Sequence, residues 1–165
     1  MNSKIAAFQI TRRGIASAIL TGQTLSFWEA RSLSSNYEQA CSSITAFVNW
    51  TLGHFKIDSA ALEAFGPEDK HRTARLARFT TDLLHGLGIP VLTAQKSEVL
   101  SAFASPAIRT KGELRKIITA LYPQFATYRG SNVPLDAAAL GLYFQTERLL
   151  ATKANHELTI KHLNP

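Results

Sequence analysis

The sequence predicts an α/β domain on a five-stranded mixed sheet, three strands antiparallel and two parallel, flanked by helices. Three observations carry that expectation. The chain opens with three short apolar runs separated by two tight turns, each containing glycine, and helical and strand-like periodicities then alternate to the end. With 165 residues, 45 % of them hydrophobic and 18 % charged, it has the size and composition of one folded core.

The first strand is Lys4 to Ile10, a run of Ile, Ala, Phe and Gln that Thr11-Arg12-Arg13-Gly14 interrupts. Ile15 to Leu20 and, past Thr21-Gly22-Gln23, Leu25 to Ala30 continue it as a meander. Ser35 and Glu38 have capping-box spacing, and Tyr37, Cys41, Ile44, Val48, Leu52 and Phe55 recur every three to four residues, which predicts a helix over 36–54. Ser59 to Phe65, bounded by Gly66-Pro67, has the length of a buried strand.

A second helix is expected over 70–86, with Leu76, Phe79, Leu83 and Leu87 facing inward and His71, Arg75 and Arg78 on a solvated face. Ile89 to Leu92 reads as the fifth strand, and a short helix near 95–104 follows. Thr110 and Glu113 cap another helix, with Leu114, Ile117, Ile118, Leu121 and Tyr122 in register. Pro134 marks the first turn of a final helix whose apolar face is Leu135, Ala138, Ala139, Leu142, Thr146, Leu149 and Leu150. Residues 1–150 thus form a single domain, and 151–165 read as a loosely ordered tail.

Eighteen basic against twelve acidic residues give a net charge of +6, and the excess is uneven. Residues 108–130 alone carry +4, and a basic segment of that kind attracts polyanions. The lone Cys41 makes no internal disulfide and seeds no thiolate metal site, so the cytoplasm is the expected location. No apolar stretch approaches the about 20 residues of a membrane span, and Met1-Asn2-Ser3-Lys4 leads directly into strand-like sequence. Neither a membrane partner nor a signal sequence is expected. Serine or cysteine nucleophile motifs and phosphate-binding glycine loops are absent, which argues against a triad hydrolase or a P-loop enzyme. The five histidines form no pair at metal-ligand spacing with a carboxylate. Tyr122, Phe125, Tyr128 and Arg129 could stack on unpaired bases, but such a set is more often core.

The order of elements, with the segments Ala60-Ala-Leu-Glu63-Ala-Phe65, Gly88-Ile-Pro-Val-Leu92, Lys96-Ser-Glu-Val-Leu100, Thr110-Lys111-Gly-Glu-Leu-Arg-Lys-Ile and Asp136-Ala-Ala-Ala-Leu-Gly-Leu142, resembles the ribonuclease H-like superfamily and, within it, the RuvC-like Holliday junction resolvases. The resemblance covers nearly the whole chain and implies a ribonuclease H-like domain over 1–150. Family members are metal-dependent nucleases. Acids on the first strand, at the end of the fourth and at the start of the last helix hold two hard divalent cations beside a phosphate, where the metals activate water and stabilise the leaving oxygen.

Carried over residue by residue, Glu63 matches the fourth-strand glutamate and Asp136 the last aspartate of the final helix, so these two are the candidate catalytic residues and metal ligands. The first-strand aspartate falls at Gln9 and the additional acid at Val133. Lys111 matches a basic residue of the family, whereas a lysine expected in the preceding helix falls at Leu100, and a glycine-rich loop appears as Ala104-Ser-Pro-Ala-Ile-Arg109. A glutamine carbonyl ligates magnesium without contributing charge, so two carboxylates would face a metal pair of total charge about +4. Tight two-metal binding is therefore not expected, and Gln9 reads as a buried polar residue satisfied by Glu63 or by backbone.

Each acid also has a plainer reading. A carboxylate in a central apolar strand is costly, which favours a site role for Glu63, whereas the helix macrodipole explains Asp136 nearly as well. Three functions remain open from sequence. One is a nucleic-acid-binding domain with an eroded metal site and little or no cleavage, in which Arg12, Arg13, Arg109, Lys111, Arg115 and Lys116 contact phosphates. Another is an active endonuclease on branched or structured nucleic acid, using Glu63 and Asp136 with Mg2+ or Mn2+. The third is a protein-interaction module without nucleic-acid binding. The resemblance implies DNA ahead of RNA as partner, and it allows a homodimer.

Overall fold

A computed structural model of the chain describes residues 3–106 and 108–163, with side chains through Asn155. Strands β1 (Lys4–Ile10), β2 (Gly14–Thr21) and β3 (Thr24–Ser32) form the expected meander. The sheet order is β3-β2-β1-β4-β5, with β4 (Ser59–Glu63) and β5 (Val91–Ala94) added in parallel beside β1. This is the predicted mixed sheet. Gly22 at φ 58° takes the first corner of the two-residue β2–β3 turn, where a side chain would be strained.

Helices α1 (Tyr37–His54) and α2 (Arg72–Gly86) cover one face; α3 (Lys96–Ala102), α4 (Lys111–Leu121) and α5 (Val133–Leu163) lie on the other. β1 is buried from both sides, with Ile5, Ala6, Ala7 and Phe8 at 0 % exposure. Its side chains alternate between the two cores: Ile5 and Ala7 face α4 and α5, while Ala6 and Phe8 face α1 and α2. Gly141 lets α5 press onto the sheet, since a Cβ there would sit 2.5 Å from Leu20 Cδ1 and 3.3 Å from the Ala7 Cβ.

Several local expectations are corrected. The cap of α1 is Asn36, not Ser35: its side chain accepts from the Gln39 amide at 2.9 Å, while Ser34 accepts from the Asn36 amide. β5 begins two residues late, at Val91, because Pro90 has no amide to give and only its carbonyl joins the ladder, accepting from Ala60. On α2 Leu76 faces inward with Ala77, Thr80 and Leu84, and Phe79 and Leu83 pack partly buried against the same core, but Leu87 is exposed; the Thr80 hydroxyl can be buried because it donates to the Leu76 carbonyl. Ile117 and Leu121 on α4, and Leu149 and Leu150 on α5, are exposed rather than core.

The Thr110–Glu113 capping box of α4 is present in both directions. Tyr122 and Phe125 are core, and Trp28 packs against Phe125 and Tyr128 at 5.1 and 4.7 Å, so this set is no stacking platform. Arg78, placed by the sequence on a solvated face, instead donates to the carbonyls of Gly66 and Asp69. α5 runs on through residue 150, and Gln145 ties it to the backbone of Ser3 and Leu20. The side chains of residues 156–165, His156 and His162 among them, lie outside the described residues. No helix among the described residues is long and apolar enough to cross a membrane.

Candidate site at the carboxyl ends of the central strands

β1 and β4 run parallel with Phe8 opposite Leu62, so the next residue of each, Gln9 and Glu63, lies at the carboxyl end of the sheet. Both share the face of Ala7 and Ala61, toward α4 and α5. α5 starts at that same end and carries Asp136 in its first turn. Gln9, Glu63 and Asp136 therefore line one pocket of about 150 Å³, together with Lys96 and Lys111. The fold gathers the three positions that the resemblance pairs.

Gln9 is buried against Glu63 as expected, whereas the cations around the two acids were not legible beforehand. Gln9 donates its amide nitrogen to Glu63 Oε2 at 2.9 Å, and Lys96 Nζ lies 3.6 Å from Glu63 Oε1. Asp136 accepts from Arg115 Nε at 3.0 Å and from Nη2 at 2.9 Å, with Lys111 Nζ 3.1 Å from Oδ2. All four carboxylate oxygens are engaged. The bidentate bond to Asp136 raises the pKa of Arg115 above its ordinary value, against the opposing effect of its partial burial. Three cationic side chains surround two carboxylates, a local excess of one positive charge.

Below this polar rim the pocket is apolar, lined by Ala94, Val99, Leu100, Leu114, Ala139 and Leu140. Leu100, standing where the resemblance places a lysine, is part of that lining; Lys96 lies one helical turn earlier on the same face. Val133 is buried at 8 % exposure in the core and does not line the pocket. Among the described residues there is no group of three His, Cys, Asp or Glu side chains close enough to hold a metal ion.

A second cleft, of about 430 Å³, opens beside the β1–β2 turn at the same end of the sheet, lined by Arg12, Arg13, Ser32, Leu33, Ser35 and Arg72. Arg12 and Arg13 are exposed. Arg72 donates to the Arg12 carbonyl at 3.0 Å, to the Ser35 carbonyl at 2.8 Å and to the Ser34 carbonyl, joining three segments. Sequence reasoning missed it, and no local signal could have found it: its partners lie 37 to 60 residues away. Of the other basic candidates, Lys111 and Arg115 are held by Asp136, while Arg109 and Lys116 are exposed beside α4 and line neither cavity.

No family model matches the chain, and no curated protein matches its sequence. Solved structures do match its shape. Thermus thermophilus RuvC in complex with Holliday junction substrate superimposes with a TM-score of 0.70 at 17 % identity, over 89 % of this chain and 96 % of that one. The yeast mitochondrial Holliday junction resolvase gives 0.62 at 8 % identity, over 87 % and 79 %. Fowlpox virus resolvase with Holliday junction DNA gives 0.52 at 17 %, over 88 % and 99 %. The chain has the ribonuclease H-like fold in its RuvC-like form.

Proposed function

We propose that this chain is a RuvC-like domain that binds branched or structured DNA without cutting it. One observation carries the reading: every oxygen of Glu63 and Asp136 already has a lysine, arginine or amide partner. A divalent cation needs those oxygens, and binding it would mean stripping them from their partners and bringing a double positive charge to a rim already positive. The donor set does not fit Mg2+ or Mn2+, and no hydrolytic step is derived through either.

The same charge excess suits phosphate. Lys96 and Lys111 keep unspent N–H groups beside the pocket, and the Arg12–Arg13 cleft offers a further basic contact at the same end of the sheet. DNA as partner rests on the solved neighbours, two of which hold Holliday junctions. The lone Cys41 accords with a cytoplasmic setting.

The test is one preparation assayed twice. A labelled four-way junction should bind with an affinity that falls steeply with salt, and added manganese should produce no cleavage. Manganese-dependent cleavage that Asp136→Asn abolishes, with folding retained, would establish the active nuclease instead. Salt-insensitive, weak binding would favour a protein-interaction module.

A further inference from the structure

We infer, building on the DNA-binding reading, that the pocket between Glu63 and Asp136 receives an unpaired pyrimidine base whose phosphate rests on Lys96 and Lys111. A phosphate alone would leave the greater part of this cavity without a use, because its walls are Ala94, Val99, Leu100, Leu114, Ala139 and Leu140. Such walls stabilise a ligand that is itself apolar on its faces. Size narrows the choice: the pocket measures about 150 Å³, and an apolar cavity of about that volume in another protein accommodates one benzene ring. A single-ring base fits that space with both faces against the apolar walls.

The rim supplies the rest of a nucleotide site. Gln9 spends its amide nitrogen on Glu63 and keeps its carbonyl oxygen as an acceptor, and Ser97 adds a hydroxyl at the edge. These groups suit the polar edge of a base, and the amino group of cytosine in particular, as a donor, complements the Gln9 oxygen. Lys96 and Lys111 flank the opening with side chains 57 % and 44 % exposed, and the N–H groups that their carboxylate partners leave unused can meet a phosphate on the outside while the ring lies within. A paired base cannot enter, so the ligand is a base splayed from the stack, which costs least at a branch point or in a single strand.

The chain is titrated with single-stranded d(C)6, with an abasic hexamer of equal charge, with a labelled junction, and with free dCMP. The inference expects d(C)6 to bind about tenfold tighter than the abasic hexamer. Leu100→Arg, which fills the pocket while adding a cation, should bring the two level, with Leu100→Met retaining the difference as the folding control. Should the arginine variant fail to fold, the comparison on the unaltered chain decides alone. Binding of dCMP as tight as that of d(C)6 also supports the base pocket and assigns it to a free nucleotide. Equal binding of d(C)6 and the abasic strand, with the junction still bound, overturns the base pocket and leaves the DNA-binding reading standing. No binding of any DNA or nucleotide overturns both.

Discussion

Arg115 grips Asp136 with two parallel hydrogen bonds, 3.0 Å to Oδ1 and 2.9 Å to Oδ2, across the junction of α4 and α5. This fork matches a guanidinium to a carboxylate plane, and Lys111, one turn earlier on α4, adds a second cation to Oδ2. The carboxylate therefore acts as an anchor for two basic side chains.

Asp136→Asn should consequently do two opposite things. Stability falls by about 1 kcal/mol, since the pair is partly solvated and the amide keeps some of the hydrogen bonding. DNA affinity rises, because Arg115 becomes available to phosphates and Lys111 no longer shares its charge with a carboxylate, and the slope of log affinity against log salt steepens by about one. Thermal melting and a salt titration of junction binding check both arms, and weaker DNA binding by a well-folded variant would contradict the anchoring role.

The sequence made the sheet legible because each strand and helix declares itself within a dozen residues. The meander, the helix over 36–54 and the Thr110–Glu113 box all depend on local periodicity and caps. Gln9, Glu63 and Asp136 could be grouped only through the resemblance, since 54 and 73 positions separate them successively. Their neutralisation was hidden for a different reason. Lys96 meets Glu63 and Arg115 meets Asp136 through side-chain reach across element boundaries, and the sequence presented Arg115 only as a candidate phosphate contact. Arg72 was illegible altogether, its three acceptors being backbone carbonyls that carry no residue identity.

The basic cleft by the β1–β2 turn separates contact from construction. Arg12→Ala and Arg13→Ala should each weaken DNA binding and lower the salt slope by about one, with melting unchanged, because both side chains are exposed. Arg72→Ala should instead lower the melting temperature, as its guanidinium ties the β1–β2 turn to the segment preceding α1. An Arg72 variant that melts normally would remove its assignment as a brace.

Ser17 offers a gain in stability. It sits on β2 between Ile15 and Ile19, opposite Phe8, at 0 % exposure, and its hydroxyl has no hydrogen-bond partner among the described residues. A buried hydroxyl left unpaired loses its water without recompense, so Ser17→Ala should stabilise the fold by about 1 kcal/mol. Chemical denaturation measures it, and a loss instead would reveal an internal water bonded to the hydroxyl.

The last prediction concerns how the site is held. Gly141 lies five residues, somewhat more than one turn, after Asp136 on α5, where the helix touches Leu20 and Ala7. Helix propensity alone favours replacing it, by about 1 kcal/mol for alanine. Contact opposes the change: a Cβ meets Leu20 Cδ1 at 2.5 Å and the Ala7 Cβ at 3.3 Å. Leu20 is at 0 % exposure, so its methyl cannot swing into solvent, and the helix itself must lift. Gly141→Val should cost about 2 kcal/mol and, by raising α5, move Asp136 relative to Gln9 and Glu63. Gly53 on α1 supplies the control, because nothing lies within 4 Å of its would-be Cβ. Gly53→Ala should stabilise the helix by up to about 1 kcal/mol and leave DNA binding untouched. If Gly141→Val melts like the unaltered chain, α5 is not seated by that contact and the placement of Asp136 must depend on Arg115 and Lys111 instead.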